Sequence, residues 1–92
     1  MIGIYKITNK INGKIYIGQS NNIQRRFSEH QTKGEQSRIP VDIAIQKYGK
    51  ENFSFEVIEE CSIEQLNEKE IKWITYFNSV KNGYNCSIGG NQ

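Results

Sequence analysis

The 92-residue sequence predicts an α+β domain in which a small three-stranded antiparallel sheet is flanked by three helices, in the order β-β-α-α-β-α. Two segments rich in Ile and Tyr flank an Asn-Gly turn, a third alternates apolar and polar residues, and three others carry helix signals. The length suits one domain. We predict a domain over residues 1–88, followed by a tail or linker stub over residues 89–92.

The first two strands are predicted to form a β-hairpin from residues 2–8 and 14–18, with Asn12-Gly13 as a two-residue turn. In that register Gly18 lies opposite Ile7 and diagonal to Tyr5, so its missing side chain leaves space beside the Tyr5 ring. Alternation then divides the side chains between two faces. One face holds Tyr5, Ile7, Tyr16 and Gly18, and the other holds Ile4 and Ile17.

The helices are predicted from capping signals and apolar spacing. The first follows Asn21 or Asn22 and runs to about Thr32, the second begins at Pro40 and ends before Gly49, and the third runs from a Ser62–Gln65 capping box to about Asn78. Residues 53–58 alternate apolar and polar side chains, which predicts a half-buried third strand.

Charge and composition limit the classes of binding partner that the sequence predicts. The net charge is +2, but the first 50 residues hold an excess of basic side chains and the rest an excess of acidic ones. This asymmetry favours a basic face for an anionic polymer, although two differently charged solvated faces without a ligand explain it equally well. No signal peptide or long apolar run is present, so we expect a soluble intracellular protein, cytoplasmic or nucleoid-associated, without a membrane partner.

The two cysteines, Cys61 and Cys86, have no CxxC spacing, and a single histidine accompanies them. A zinc site is therefore not expected. We predict that both are reduced, buried thiols.

Glu70 is the most informative residue of the third helix. With about 100° per residue, it falls about 40° from Leu66, inside the apolar stripe. That stripe comprises Ile63, Leu66, Trp73, Ile74 and Phe77. A carboxylate there loses hydration at a cost of several kcal/mol unless a cation, a metal or strong donors compensate it. Glu70 is therefore a candidate metal ligand or general base, or else a structural ion-pair partner of Arg26 or a lysine.

Four other side chains, supplied by the first three predicted elements, are candidates because together with Glu70 they could form one site. Arg26 suits charge developing on a phosphoryl oxygen, and His30, one turn later, suits proton donation or a phosphate contact. Tyr5 and Tyr16 are phenols on strands, where aromatic residues also serve packing. Each of these residues also has a structural interpretation, as a surface charge, a buried histidine or core rings.

Resemblance to a known family adds to these observations. Gly3-Ile4-Tyr5 and, ten residues later, Tyr16-Ile17-Gly18 resemble the signature of the GIY-YIG nuclease superfamily. The segments that begin at Arg26, Ala44, Glu70 and Gly83 are similar to further motifs of its phage-type members, in order and spacing. The resemblance covers residues 2–88, nearly the whole chain.

The resemblance implies a metal-dependent DNA endonuclease that hydrolyses one strand per site. Glu70 would bind one Mg²⁺ or Mn²⁺ ion, Arg26 would stabilise charge on the scissile phosphate, and Tyr5 would orient or deprotonate the attacking water. Tyr16 and His30 would support proton transfer and phosphate positioning. Gly18 and Asn85 would support the site. The alternative is a non-catalytic nucleic-acid-binding module on the same fold.

DNA contacts are assigned to basic residues that lie among the tyrosines of the first 38 positions, namely Lys14, Arg25, Lys33 and Arg38. One departure from the phage-type pattern is the absence of a second histidine over residues 31–43, where Lys33, Ser37 or Arg38 would take its place. Sequence preference would come from an appended DNA-binding domain, a partner or dimerisation, with the chain acting as a monomer or transient dimer.

Overall fold

The computed structural model describes residues 1–32 and 39–86, and within them the predicted fold class is confirmed. The strands are β1 (Gly3–Asn9), β2 (Ile15–Ser20) and β3 (Phe53–Glu60). The helices are α1 (Ile23–Thr32), α2 (Pro40–Tyr48), α3 (Leu66–Phe77) and α4 (Ser79–Asn82). Short 3-10 turns at Lys50–Asn52 and Ile63–Gln65 precede β3 and α3. The predicted tail at 89–92 lies outside the described residues.

The hairpin register differs from the predicted one. Tyr5 pairs with Gly18, and Ile7 pairs with Tyr16, so the predicted pairing of Gly18 with Ile7 is wrong. The loop is longer than two residues, because Asn9 N–H donates to Lys14 O at 2.9 Å. The shift is two residues, and side chains alternate with a period of two, so the predicted division into faces is retained.

The sheet has the order β2-β1-β3 and is antiparallel throughout. One face packs against α1 and α2 through a buried cluster of Tyr5, Ile7, Ile23, Val41, Ala44, Ile45 and Phe53. The other face packs against α3 through Ile4, Ile17, Leu66 and Ile74. Strand β2 lies at one edge of the sheet, so residues from both faces can converge beside it.

The helix boundaries follow the capping signals closely. The Ser62–Gln65 capping box is present, but it caps the 3-10 turn Ile63–Gln65, and α3 begins only at Leu66. Ile63 is exposed in that turn, so its predicted place in the apolar stripe is wrong. Helix α3 ends at Phe77 and is followed by Asn78, whose backbone is left-handed with φ 53°. Helix α4 comes next and is an element that no sequence pattern predicted.

Both cysteines are free, with Cys61 half-buried and Cys86 exposed. The prediction of two buried thiols is therefore wrong for Cys86, which lies just beyond Asn85 at the rim of the sheet. Within residues 1–32 and 39–86, no helix combines the length and the hydropathy needed to cross a membrane.

Candidate active site

A cavity of about 400 Å³ lies beside the edge strand β2. It is lined by Tyr5, Tyr16, Gln19, Arg26, Ile39, Pro40, Glu70, Tyr84, Asn85 and Cys86. Four of the five predicted catalytic residues are among these, and the fifth, His30, lies directly behind Tyr5. The fold thus brings together side chains from β1, β2, α1 and α3 that are far apart in sequence.

Tyr5 enters the cavity wall because Gly18 lies opposite it in the hairpin. A Cβ atom at Gly18 would lie 2.4 Å from the Tyr5 hydroxyl oxygen, so any side chain there would displace the ring. The Tyr16 ring lies 6.3 Å from the Tyr5 ring, centroid to centroid. Gly18 therefore contacts Tyr5 directly, whereas its predicted position was diagonal.

His30 is fully buried between Tyr5 and a carboxylate that the sequence analysis did not identify. The Tyr5 hydroxyl oxygen lies 2.8 Å from His30 Nε2. The other ring nitrogen, Nδ1, is hydrogen-bonded to Asp42 Oδ1 on α2. The three side chains form a continuous chain that runs from the cavity wall into the core.

Arg26 projects from α1 with a side chain that is 29% exposed. Its Nη1 donates to Glu29 Oε1 at 3.1 Å on the same helix. Burial lowers the pKa of the guanidinium, but Tyr5, Glu29 and Tyr16 oppose this effect, so that the pKa is raised overall. Arg26 is therefore a permanent cation at the cavity, held in place by Glu29.

Glu70 lies on the cavity wall with 3% of its surface exposed, as the helical wheel predicted. Its Oε1 accepts a hydrogen bond of 3.0 Å from Gln19 Nε2, which also donates to Asn67 Oδ1 at 2.8 Å. Gln19 was missed because no sequence signal distinguishes one polar strand residue from another. Its position opposite Ile4 places it on the α3 side of the sheet.

Burial also governs the two phenols. Desolvation raises the pKa of Tyr16 to about 12, with Arg26 opposing and Glu70 reinforcing the rise. Desolvation raises the pKa of Tyr5 further, and Tyr16 reinforces this, while Arg26 opposes it. Both phenols therefore keep their protons at neutral pH, so neither is a ready-made phenolate.

Asn85 fastens the last described segment to the free edge of β2. Its Oδ1 accepts from Ile17 N–H, its Nδ2 donates to Ile17 O, both at 2.9 Å, and Ser79 Oγ donates to Oδ1 at 2.7 Å. Tyr84 N–H donates to Ile15 O at 2.9 Å. Backbone groups of an edge strand that would otherwise be unpaired are satisfied in this way.

Of the residues assigned to DNA contact, Lys14 and Arg25 are described and exposed, and neither lines the cavity. The Lys14 Nζ lies 5.9 Å from the centroid of the Tyr84 ring. Arg25 Nε lies 3.9 Å from Glu29 Oε2. Lys33 and Arg38 lie outside the described residues, as does Ser37.

Comparison with known proteins identifies the family of this chain. Residues 1–85 match the family described as the GIY-YIG catalytic domain. The chain is 35% identical over 90 residues to intron-associated endonuclease 1 of Enterobacteria phage T4. The alignment covers 92% of this chain and 36% of that protein. This chain thus spans about a third of the length of that relative.

Two solved structures share the fold. The catalytic domain of homing endonuclease I-TevI aligns with a TM-score of 0.81 at 30% identity, covering 95% of this chain and 99% of that one. A glutamate-to-alanine mutant of the I-TevI catalytic domain aligns with a TM-score of 0.84 at 30% identity, covering 96% of this chain and 95% of that one. With the family match over residues 1–85, these likenesses show that this chain belongs to the GIY-YIG family.

Proposed function

We propose that this chain is the catalytic domain of a DNA endonuclease, which hydrolyses one strand per active site with the help of a divalent metal ion. The observation that carries the proposal is the burial of Glu70 on the wall of the cavity that Arg26 and Tyr5 also line. A buried carboxylate can hold a metal ion, a cation can stabilise charge on a phosphate, and a phenol can hydrogen-bond to an attacking water, so the three groups at one cavity suit phosphodiester hydrolysis. Family membership and the endonuclease name of the phage relative support the same activity.

The donor set suits a hard divalent cation with few protein ligands. Among the described residues, no three His, Cys, Asp or Glu side chains cluster as a preformed metal site. Mg²⁺ often binds through one or two carboxylates and completes its coordination with water and substrate phosphate. Glu70 is such a carboxylate, and a 400 Å³ cavity leaves room for the other oxygens. A bound Mg²⁺ or Mn²⁺ ion would supply positive charge to the phosphate.

Arg26 supplies a second positive charge from the protein itself. Its guanidinium is planar, and its pKa is raised, so it remains charged at any pH relevant to the reaction. The ion pair with Glu29 fixes the side chain on the cavity side of α1. We assign Arg26 to the charge that develops on the nonbridging oxygens of the phosphate as water attacks.

Tyr5 is assigned to the attacking water. Because its pKa is raised, it remains a neutral phenol and cannot act as a base by losing its proton to solvent beforehand. It can accept a proton from water if its own proton moves to His30 Nε2, which lies 2.8 Å away. Tyr16, also a neutral phenol, is assigned to hydrogen bonding with the phosphate.

DNA binding is assigned partly to this chain and partly to a further segment. Lys14 and Arg25 are exposed and would contact the phosphate backbone without reading sequence. The chain spans only about a third of its phage relative, so an appended DNA-binding domain is the proposed source of target preference.

The decisive experiment follows conversion of supercoiled plasmid with Mg²⁺, with Mn²⁺ and with EDTA. The unmodified chain, called the parent below, is expected to produce nicked circles before linear product, and only when Mg²⁺ or Mn²⁺ is present. Glu70→Gln should be inactive, whereas the matched control Glu68→Gln, on an exposed position of the same helix, should cut at the parental rate. A parent that retains DNA in a salt-dependent manner but never nicks it would instead be the non-catalytic binding module.

A further inference from the structure

Asp42 is a buried acid that no sequence pattern singles out and that has no role in the proposed mechanism. Only 2% of its surface is exposed, and its carboxylate is hydrogen-bonded to His30, which is 0% exposed. These are the only aspartate and the only histidine in the chain. Burial of a charged carboxylate costs several kcal/mol, so its partner must compensate a large desolvation penalty.

Helix stabilisation alone does not explain this arrangement. Asp42 lies in the first turn of α2, where the helix dipole favours a negative charge. An exposed carboxylate would obtain that benefit without desolvation. The N-cap residue Ile39 has no side-chain capping bond, and Asp42 is directed at His30. The dipole therefore reduces the cost of burying Asp42 but does not account for the choice of partner.

We propose that Asp42 is a positioning residue that fixes His30 in the Nδ1–H tautomer, so that Nε2 accepts the Tyr5 hydroxyl proton. An ionised carboxylate only accepts hydrogen bonds, so Nδ1 must carry a proton. A neutral imidazole has one N–H group, so Nε2 is then an acceptor. In this tautomer the Tyr5 hydroxyl donates to Nε2 across 2.8 Å, and its oxygen keeps lone pairs that can accept a proton.

The role deepens the proposed function and rests on it. As the water oxygen bonds to phosphorus, a water O–H bond breaks and its proton goes to Tyr5, whose own proton moves to His30 Nε2. The P–O bond to the leaving group breaks, and the leaving oxygen takes a proton from solvent. The resulting imidazolium is paired with Asp42, and it returns its proton to solvent through Tyr5. Without the carboxylate, the positive charge would form on a buried and unpaired ring.

The first test measures the tautomer directly in the unmodified chain. Because there is one histidine, long-range ¹H–¹⁵N NMR correlations of its ring report His30 without ambiguity. We expect the Nδ1–H pattern at neutral pH. The Nε2–H pattern, or a doubly protonated ring that donates to Tyr5, would overturn the proposal whether or not the chain cuts DNA.

The second test uses Asp42→Asn, which keeps the size of the side chain and removes its charge. We expect loss of the pure Nδ1–H pattern and a fall in kcat of about 10² to 10³, with KM within about threefold of the parent. The control Glu64→Gln, an exposed acid before α3, should change neither. A folded Asp42→Asn variant with parental kcat would overturn the proposal. If the variant does not fold, the tautomer of His30 measured in the unmodified chain decides whether the proposal stands.

These outcomes separate the two proposals. A parent that fails to nick plasmid overturns the endonuclease assignment, while the NMR pattern still tests the arrangement of Asp42 and His30. A parent that cuts DNA but has the wrong tautomer overturns only the role of Asp42.

Discussion

Arg26 is the residue whose proposed chemical contribution is easiest to separate from folding, because its side chain is partly exposed and its described ion pair is local. Arg26→Ala should lower kcat by about 10² to 10³ through lost stabilisation of transition-state charge. Arg26→Lys should recover little, because an ammonium lacks the planar fork. Plasmid cleavage at saturating DNA measures the effect. Arg25→Ala is the matched comparison and should raise KM without lowering kcat, and parental cleavage by Arg26→Ala would disprove the assignment.

Tyr5→Phe removes one hydroxyl and keeps the ring that packs against Gly18. We expect kcat to fall by about 10² to 10⁴. Stability should also fall, by about 1 to 3 kcal/mol, because His30 Nε2 loses its buried hydrogen-bond partner. Urea unfolding measures the second effect. Tyr76→Phe, at a 73% exposed ring on α3, is the control and should change neither quantity. Reduced stability with unaltered kcat would mean that Tyr5 serves only the core.

The difference between Glu70 and Asp42 shows which buried acids can be predicted from the sequence and which cannot. Glu70 falls at the centre of an apolar stripe, so the wheel alone predicts its burial. Asp42 falls about 100° from Val41 and about 60° from Ile45, at the edge of the α2 stripe, where an exposed acid is ordinary. His30 follows Ile23 by seven residues and lies within about 20° of it, so its burial was predictable. That it pairs with Asp42 depends on the packing of α1 against α2, which no local pattern specifies.

At the scale of the element, α3 packs against the sheet and also carries Glu70, the proposed metal ligand. Glu70→Gln should abolish metal-dependent cleavage, because an amide is a weak ligand for a hard cation. Metal-free stability should stay the same or rise by about 1 to 4 kcal/mol, because burial of an amide costs less than burial of a charge. Activity and stability should therefore change in opposite directions, as plasmid cleavage and thermal melting in EDTA would show.

Metal binding gives that variant an independent readout. Mg²⁺ or Mn²⁺ should raise the melting temperature of the parent by mass action, measured with an oligonucleotide bound, and Glu70→Gln should lack the increment. Glu68→Gln should retain it. If Glu70→Gln melted several degrees lower in EDTA and still nicked plasmid, Glu70 would be a structural residue, and any metal would need another ligand.

The hairpin shows which features of an element can be predicted from the sequence. The existence of β1 and β2 and the division of their side chains into faces follow from alternation, which a shift by two residues leaves intact. The register itself depends on the loop, and Asn12-Gly13 was assigned as the whole turn although the chain uses a longer one. Helix α4 escaped prediction because four residues carry too little periodicity to identify a helix.

At the scale of the whole molecule, the buried phenols link stability to pH. Unfolded Tyr16 ionises near its ordinary pKa of 10.0, whereas in the fold its pKa is about 12, and the pKa of Tyr5 is raised further. Above about pH 10 the unfolded chain binds fewer protons, so the free energy of unfolding should fall as pH rises. Urea titrations at about pH 8 and about pH 11 measure the loss. The free energy of unfolding should fall less in Tyr16→Phe than in the unmodified chain. An equal fall in both proteins would contradict the assignment of the pH dependence to the buried phenols.

The attachment of Asn85 to Ile17 has a consequence for the order of events during synthesis. The two residues are 68 positions apart, and the cavity wall includes both Asn85 and its neighbour Tyr84. A ribosome-bound chain that ends before Tyr84 can form the hairpin but cannot close the cavity. Because contacts at such long sequence separation form slowly, we expect the proposed DNA cleavage to be absent until the segment around residue 85 has docked. Pulse-labelled hydrogen exchange at Ile17 N–H, followed alongside the onset of nicking during refolding, should show the two appearing together.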